Sequence, residues 1–589
     1  MTTNLHNFLV ELGTEELPPK SLLTLSTEFH NHVQNSLKNL GVEFGKITPF
    51  ASPRRLALLI ENLPETTPFK SVTVWGPPAN VAFDADGKPT KAAEAFAAKN
   101  GIAVADLTTA SDGKVEKLKC ESKTGGEPLV KLLPGVVDNA LAQLPIAKRM
   151  RWGAKRDEFV RPVKWLVMLF DEQVIPCTIL GVAAGNQSRG HRFHSNRALT
   201  ITAPTAYKNI LLEEGKVIAD FAERRESVRS QVIATGEKLG GHAVIDDDLL
   251  DEVTALVEWP VALAGRFEER FLAVPAEALI SSMKEHQKYF HAVDNNGALL
   301  PNFITLANIE SADPAQVIAG NEKVIRPRLS DAAFFFETDK KKTLDEHREK
   351  LKTVVFQAQL GTVFDKTERV GKLAGSIARK LGANDGWAER AGRLSKADLA
   401  TAMVYEFADM QGIAGFYYGQ KDGEDKEVYW ALKEQYLPKF AGDELPTTTT
   451  GAAVALADRL DTLSGIFGLG QVPTGSKDPF GLRRASLAVL RILVEKQYDL
   501  DLNELLQEAA SRHPSLTNRK ESMEQALSYI LERFRAWYEE KNIPGVVYQA
   551  VAAKGVTNPL DIDNRVQAVA AFYQLPEAEA LASSFEKEL

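Results

Sequence analysis

The stretch VFDKTERVGKLAGSIARKLG, residues 363–382, decides the fold of the second half of the chain. Five of its apolar residues recur at the spacing of one helical face: Val363, Val370, Leu373, Ile377 and Leu381. Gly382 follows as a stop signal for that helix. From about Arg326 onward the other segments repeat this pattern, and an apolar helix is predicted over residues 482–494. The sequence therefore predicts an all-helical second half.

The first half of the chain mixes strand and helix patterns. Helices are predicted over residues 21–40 and 91–99, and residues 204–240 are predicted to be mainly helical. Strands are predicted over residues 52–60, 165–170, 174–180, 253–264 and 302–308, the second and third of them paired around a turn at Asp171 and Glu172. Because 589 residues are too many for one core, roughly four domains are expected. The predicted fold class is α+β multidomain, with an N-terminal mixed α/β region ahead of the helical part.

The composition excludes several classes of protein. Apolar residues make up 44% of the chain and charged residues 25%, which is typical of a folded globular protein. No run approaches the ~18 apolar residues of a membrane span, and the N-terminus lacks a secretory signal. The two cysteines, Cys120 and Cys177, cannot build a disulfide framework. A cytoplasmic location is therefore predicted.

The charge is unevenly distributed along the chain. The formal net charge is −9. Residues 148–197 contain ten Lys or Arg and four Asp or Glu, a charge of +6, so the rest of the chain sums to −15. A nucleic-acid-binding protein needs such a local basic surface, although a solvated basic face would give the same count.

Three basic stretches supply the candidate RNA-binding residues. These are Lys148, Arg149, Arg151 and Trp152 in the first, Arg189 and Arg192 in the second, and Lys477, Arg483, Arg484 and Arg491 in the third. In the first, cations alternate with Trp152, Phe159 and Trp165, which suits phosphate neutralisation with base stacking, but equally a subunit interface. The second lies in the polar, glycine-containing segment 186–194, which suits a loop over a ligand or a structural corner.

The third basic stretch lies at a predicted helix start. Asp478 is expected to cap that helix, with Pro479 at its first position. Arg483, Arg484 and Arg491 then fall within a sector of about 100°. Helix amides and cations together suit a phosphate site, but the arginines could equally pair with acidic neighbours.

The chemistry of amino-acid activation is absent from the sequence. Neither the His-x-Gly-His and Lys-Met-Ser-Lys-Ser motifs of one synthetase class nor the Gly-rich Arg strand of the other is present. Residues 470–477, GQVPTGSK, reverse the Lys-Ser order of a phosphate loop. There is no Cys-x-x-Cys or His-Glu-x-x-His, and the histidines lack nearby carboxylate or cysteine partners. No catalytic residue and no metal ligand are predicted.

Seven short stretches carry a family resemblance. They are LGTEELPP (12–19), SPRRL (52–56), KRMRWG (148–153), GHRFH (190–194), HQKYF (286–290), KADL (396–399) and PTGSKDPF (473–480). In this order, across nearly the whole chain, they resemble the bacterial glycyl-tRNA synthetase β subunit. The resemblance implies a glycine–tRNA ligase built from two α and two β chains. The α chain would use ATP and Mg to form glycyl-adenylate, while the β chain, with no cofactor of its own, would bind and position tRNA(Gly).

The resemblance also implies four regions. Residues 1–158 would be the mixed α/β region, and 159–325 an α+β domain similar to a phenylalanyl-tRNA synthetase module. Residues 326–480 would be a helical domain like those of His-Asp (HD) phosphohydrolases. Residues 481–589 would be a helical tRNA-binding region that begins an anticodon-binding-like domain and ends before completing it.

One departure bears on the HD-like region. Lys396-Ala397-Asp398 stands where a His-Asp pair is expected, and no histidine occupies residues 366–370. Asp398 and Asp458 remain, but two isolated carboxylates do not hold a catalytic pair of metals. A domain without metal or hydrolase chemistry is expected. Two alternatives stay open: a metal-dependent HD-type phosphohydrolase, and an assembly scaffold that does not bind RNA.

Overall fold

A computed structural model describes residues 4–84, 86–111, 115–154, 156–473, 477–516 and 519–575. The chain divides into two compact units. The first, a mixed α/β unit, comprises Met1–Phe267 and Gln287–Lys323, and the second, a helical unit, comprises Glu268–His286 and Val324–Leu589. Among the described residues, no helix has the length and apolar character needed to cross a membrane.

The main sheet of the mixed unit is built around one strand. Leu5–Thr14 pairs antiparallel with Arg55–Pro64 on one side and with Val163–Phe170 on the other. Its side chains alternate between two apolar layers, as the period of two in a strand requires. Phe8, Val10 and Leu12 face the layer that contains the helices Pro19–Asn39 and Leu129–Ala142, whereas Leu9 faces the layer that contains Tyr207 and Leu211.

The remaining elements of the mixed unit form smaller sheets and covering helices. Its strands are Leu5–Thr14, Ile47–Ser52, Arg55–Pro64, Lys70–Pro78, Thr108–Ser111, Glu116–Thr124, Met150–Arg151, Glu158–Phe159, Val163–Phe170, Gln173–Val174, Thr178–Ile179, Val182–Gly185, Gln187–Arg189, Ala198–Thr200, His242–Ala243, Val261–Arg266, Phe290–Val293 and Leu299–Ala307. Its α-helices are Pro19–Asn39, Ala79–Ala82, Lys91–Asn100, Leu129–Ala142, Tyr207–Glu213, Phe221–Lys238 and Asp247–Thr254.

The helical unit is organised around the helix Thr449–Gly468, which is buried on nearly all sides. The α-helices of this part of the chain are Ala276–Ser281, Pro314–Asp339, Leu344–Glu349, Val363–Lys380, Asp385–Leu394, Ala402–Glu406, Ile413–Lys421, Lys426–Glu434, Thr449–Gly468, Leu482–Glu495, Leu502–Ser511, Arg519–Leu531, Arg533–Glu540, Gly545–Ala552 and Pro559–Tyr573. Two short strands, Val355–Gln357 and Gly361–Thr362, form a hairpin.

The mixed α/β architecture of the predicted fold is confirmed, and so is the helix that decides its second half. The helix Val363–Lys380 begins with a capping box between Thr362 and Asp365, and Gly382 follows it with a φ of +71°. Val370, Leu373 and Ile377 of the predicted face are buried, and burial extends to both flanks of that face, over ten residues in all.

Two local predictions were wrong in part. Pairing with Val163–Phe170 stops at Val174, and Thr178–Ile179 pairs instead with Val182–Gly185. Val253 lies in the last turn of the helix Asp247–Thr254 rather than starting a strand, since the strand begins at Val261. The second error arises because a short apolar run fits a helix and a strand equally well.

Two limits between predicted regions fall inside single elements or sheets. Val163–Phe170 shares a sheet with Leu5–Thr14, so the predicted limit at residue 158 divides one sheet. The predicted limit at residue 325 falls within the helix Pro314–Asp339.

Candidate RNA-binding surfaces and buried charge clusters

A buried ionic cluster of the mixed unit joins residues from distant parts of the sequence. Its anions are Glu11, on the central strand, and Glu258. Arg55, fully buried at the start of its strand, lies 3.1 Å from Glu258 Oε1 and 3.5 Å from Glu11 Oε2. Arg54 donates to Glu258 Oε2 at 3.1 Å, and the hydroxyl of Ser52 donates to Oε1 at 3.3 Å. The motif 52–56 therefore supplies Ser52, Arg54 and Arg55 to the cluster, and the motif 12–19 directly follows Glu11.

The charges of this cluster stabilise one another. Burial alone would raise the pKa of Glu258, but Arg55 and Arg54 hold it below its ordinary value. Burial would likewise lower the pKa of Arg55, but Glu258 and Glu11 raise it. Glu11 also accepts hydrogen bonds from Trp165 Nε1 and from the Tyr207 hydroxyl. The Glu258 carboxylate therefore stays ionised inside the protein.

The same cluster fixes the loop that carries Arg189 and Arg192. Arg54 donates to the carbonyl of Gly190 at 2.8 Å, and Arg55 donates to the carbonyl of Arg189 at 3.0 Å. His191 is buried, and its Nδ1 accepts from the amides of residues 193 and 194 at 3.2 and 3.1 Å. Burial lowers the pKa of His191, which keeps the accepting nitrogen unprotonated at neutral pH. The loop backbone is thus held by side chains from other segments.

The fixed loop presents one residue that the sequence did not single out. The side chain of Phe193, directly after Arg192, is 72% exposed. Arg189 is exposed, whereas Arg192 forms ion pairs of 3.0 Å with both Glu15 and Glu16. The only sequence signal for Phe193 was an aromatic residue inside a polar, glycine-containing segment.

Most candidate residues of the first basic stretch already contact other residues of the protein. Lys148 is exposed, but Arg149 donates to the carbonyl of Ala142 at 2.8 Å, and Arg151 pairs with Glu158. Trp152 is half-buried and packs against the main core.

The expectation that Phe159 and Trp165 stack on bases was wrong. Both rings are buried, and the Trp165 ring lies against Gly13, where a Cβ would come within 1.9 Å of it. A base cannot reach a ring face that core residues already cover.

The third stretch differs from the prediction at its helix start. The helix begins at Leu482, not Pro479, with Gly481 at the N-cap in the left-handed region. Asp478 lies before it, and its carboxylate accepts from the amides of Leu482 and Arg483 at 2.8 and 3.0 Å. Because this carboxylate already occupies the amides, a phosphate cannot use them. Residues 474–476 of this stretch lie outside the described residues.

The cations of the third stretch have different surroundings. Lys477 and Arg484 are exposed, and Arg483 is half-buried. Arg491 is paired with Glu495 at 2.7 Å. Arg484 lines a cavity of about 510 Å³ together with Asp458 and Arg459 of the central helix.

A second buried cluster lies beside that cavity. Lys366 Nζ lies 3.0 Å from Asp458 Oδ1 and 3.1 Å from Asp461 Oδ2, and Lys396 Nζ lies 2.9 Å from Asp458 Oδ2. Arg369 donates to Asp461 at 2.7 Å. Burial opposes ionisation of Asp458, but the two lysines hold the pKa of Asp458 far below its ordinary value.

Comparison with known proteins gives the relationship of the whole chain. A sequence profile described as the glycyl-tRNA synthetase beta subunit matches residues 8–553. The chain belongs to the glycyl-tRNA synthetase beta subunit family. A glycine–tRNA ligase beta subunit from Hahella chejuensis is 56% identical over 582 residues, which cover 99% of this chain and 84% of that relative. Those from Marinobacter nauticus and Stutzerimonas stutzeri are 54% and 55% identical, each over 98% of this chain and 83% and 84% of the relative.

Three of the seven motifs that resemble the glycyl-tRNA synthetase beta subunit family form or adjoin the buried cluster of the mixed unit. Glu11, next to the first motif, and Arg54 and Arg55 of the second lie in the buried cluster. His191, of the fourth motif, fixes the loop that the cluster supports. Residues of these stretches therefore build the buried framework of the mixed unit.

The donor set near Asp458 does not fit a metal pair. Both oxygens of Asp458 face lysine ammonium groups, which supply no lone pair to a metal. Asp398 is directed elsewhere, since its Oδ2 accepts from the amides of Gly412 and Gly415 at 2.6 and 3.2 Å. Within the described part of the chain, no three His, Cys, Asp or Glu side chains group as metal ligands. The residues thus do not favour the phosphohydrolase alternative.

Proposed function

We propose that this chain is the tRNA-binding subunit of a glycine–tRNA ligase. It binds and positions tRNA(Gly) for ATP-dependent glycylation on a separate α chain, which uses ATP and Mg. The observation that carries this proposal is the 53–56% identity, over almost the whole chain, to relatives named glycine–tRNA ligase beta subunit. A cytoplasmic complex of two α and two β chains is part of the proposal.

Exposed cations support the RNA-binding half of the proposal. Lys148, Arg189, Lys477 and Arg484 are exposed and lie in the stretches that the sequence selects. Lysine and arginine bind RNA by neutralising phosphates, which releases counterions and makes the affinity depend on salt. Four other candidate cations contribute less where their contacts with a carbonyl or carboxylates persist: Arg149, Arg151, Arg192 and Arg491.

Aminoacylation with separately purified chains tests the proposal. We expect glycyl-tRNA to form only when the α chain and this chain are combined with ATP, Mg, glycine and tRNA(Gly). This chain alone should not catalyse glycine-dependent exchange of pyrophosphate into ATP. Exchange by the isolated chain, or full charging by the α chain without it, would contradict the proposal.

Salt dependence of tRNA binding tests the role of the cations. In the complex, each phosphate that a cation neutralises contributes about −0.9 to the slope of log affinity against log salt. The variants Lys148→Gln and Arg189→Gln should each weaken binding and make the slope shallower by about 1. Arg197→Gln is the matched control, because Arg197 is exposed but paired with Glu214 at 3.1 Å. If this chain were a scaffold that does not bind RNA, the tRNA affinity of the complex and its salt dependence would be unchanged in all of these variants.

A further inference from the structure

The cavity beside the second buried cluster has the size and lining of a ligand site. Its volume is about 510 Å³, within the range of roughly 300–1,000 Å³ that is usual for small-molecule sites. The central helix contributes Asp458, Arg459 and Thr462, and the helix Leu482–Glu495 contributes Arg484. The elements that form it therefore belong to the packed core of the helical unit.

The floor of the cavity is a carboxylate that can only accept hydrogen bonds. The side chain of Asp458 is 17% exposed, and it stays ionised because Lys366 and Lys396 lie against it. Its Oδ2 accepts one hydrogen bond from Lys396 and keeps a second lone pair. A ligand group that faces this oxygen must donate an N–H or O–H.

The wall and mouth of the cavity are positive. Arg459 donates to the carbonyls of residues 435, 436, 438 and 455 at 2.9–3.0 Å, which fixes its guanidinium. Burial lowers the pKa of Arg459 only to about 10, so it remains charged at neutral pH. Arg484 and Lys439 are exposed at the mouth, and no described carboxylate pairs with either side chain.

The charges of the lining select an anionic ligand. Asp409 is the one lining carboxylate besides Asp458 among the described residues, and it is exposed. The charge of Asp458 is compensated by the two lysines behind it. Three cations at the wall and mouth thus face one uncompensated carboxylate.

An exposed aromatic ring adjoins the mouth. Phe440 follows Lys439 directly and is 63% exposed. With Arg484 and Arg491 it lines a shallow depression next to the cavity. An aromatic ring beside cations is the arrangement by which proteins hold unpaired nucleotides, through base stacking and phosphate neutralisation.

We infer that this cavity binds a single unpaired nucleotide, whose base donates a hydrogen bond to Asp458 Oδ2 and whose phosphate lies against Arg484 and Lys439. The inference rests on the proposed function, since the bound tRNA supplies that nucleotide. Guanine, whose ring N1–H and exocyclic amine lie side by side, fits the acceptor-only floor better than uracil, whose single N–H lies between two carbonyl oxygens that the carboxylate repels. A free mononucleotide has the same chemistry and is the other source.

The test uses this chain in complex with the α subunit. Ala485, on the cavity wall, is replaced by Phe to fill the cavity, and Ala552→Phe, at an exposed helix position, is the matched control. Arg484→Gln combined with Lys439→Gln removes the mouth cations without touching the core, and Lys554→Gln is its control. Equilibrium dialysis measures GMP and UMP binding, and filter binding measures affinity for a tRNA(Gly) transcript. Circular dichroism checks that each variant folds.

We expect the wild-type complex to bind GMP more tightly than UMP. Ala485→Phe should abolish GMP binding and reduce tRNA affinity about tenfold, because one base can no longer enter the cavity. The double cation variant should weaken both ligands, and the two controls should change neither.

Three other outcomes are distinguishable, and each has a separate consequence for the inference. If Ala485→Phe abolishes GMP binding but leaves tRNA affinity unchanged, the cavity serves a free nucleotide. If the complex binds tRNA, but GMP does not bind and no cavity variant alters tRNA affinity, the inference is wrong while the proposed function stands. If the complex does not bind tRNA, the proposed function fails, and the GMP measurement still tests the cavity.

Discussion

The strongest stability prediction concerns Glu258 in the buried cluster of the mixed unit. Glu258→Gln keeps the shape of the side chain but removes the charge that compensates Arg54 and Arg55. The Glu258 side chain is 3% exposed, and both guanidinium groups lie 3.1 Å from its oxygens. Breaking a buried pair by removing one partner costs about 3–5 kcal/mol, because the other charge stays buried. An exposed pair contributes only about 0–1 kcal/mol.

Hydrogen exchange of the full chain measures this difference within one unit. The paired strand residues Leu12 and Leu56 report on opening of the main sheet. A cost of about 3–5 kcal/mol corresponds to exchange that is faster by roughly 10²- to 10⁴-fold. The loop at 189–194 should lose protection first, since Arg54 and Arg55 hold its carbonyls.

Glu214→Gln is the matched control for Glu258→Gln. It also removes the partner of an arginine, Arg197, at a similar distance of 3.1 Å, but the two side chains are 62% and 55% exposed. Its exchange rates should change by less than about tenfold. Equal effects of the two variants would refute the reasoning, because burial would then not determine the contribution of the pair.

Three further predictions concern other packed positions. Gly13→Ala places a Cβ within 1.9 Å of the Trp165 ring. It should destabilise the mixed unit by about 1–3 kcal/mol in urea denaturation. The control Gly320→Ala meets no atom within 4 Å and should not destabilise it. Lys366→Met leaves Asp458 and Asp461 each without one cation and should cost about 3 kcal/mol by the same assay, and a neutral effect would contradict the buried network. Burial raises the pKa of Asp398 from 3.8 to about 6. Its contribution to stability is therefore complete below pH 4 and is lost as the pH rises through 6. Between pH 5 and 8 the free energy of unfolding of the wild type should fall by about 1.4 kcal/mol relative to that of Asp398→Asn. Parallel pH profiles of the two proteins would exclude the raised pKa of Asp398.

The helices could be predicted because their signals are local. The helix predicted over residues 21–40 spans Pro19–Asn39, and the one predicted over 91–99 spans Lys91–Asn100. In both cases a glycine with positive φ, Gly41 or Gly101, follows the last turn, as the sequence indicates.

The buried clusters could not be predicted because their members are far apart in sequence. Glu11, Arg55 and Glu258 meet only after the strands pair, and the sequence places Arg55 in a basic motif without showing that it is buried. Likewise, the sequence places Trp165 in a stretch where cations alternate with aromatic residues, and only the sheet register shows that this tryptophan faces inward. A search for a polar residue among the buried positions of a helix would have found Lys366, which is 6% exposed in its side chain.

The two ammonium groups beside Asp458 differ from a metal ion in the chemistry that they supply. A divalent ion and two lysines supply the same formal charge of about +2 to a carboxylate, so both keep it ionised. A metal would also hold a water molecule, lower the pKa of that water and generate a nucleophile. Lys366 and Lys396 coordinate no nucleophilic water in this way, and each is fixed by further hydrogen bonds, to Thr462 and to Gln435. For a subunit proposed to hold RNA, this arrangement keeps Asp458 ionised as a hydrogen-bond acceptor without supplying the chemistry that would cleave the phosphodiester backbone.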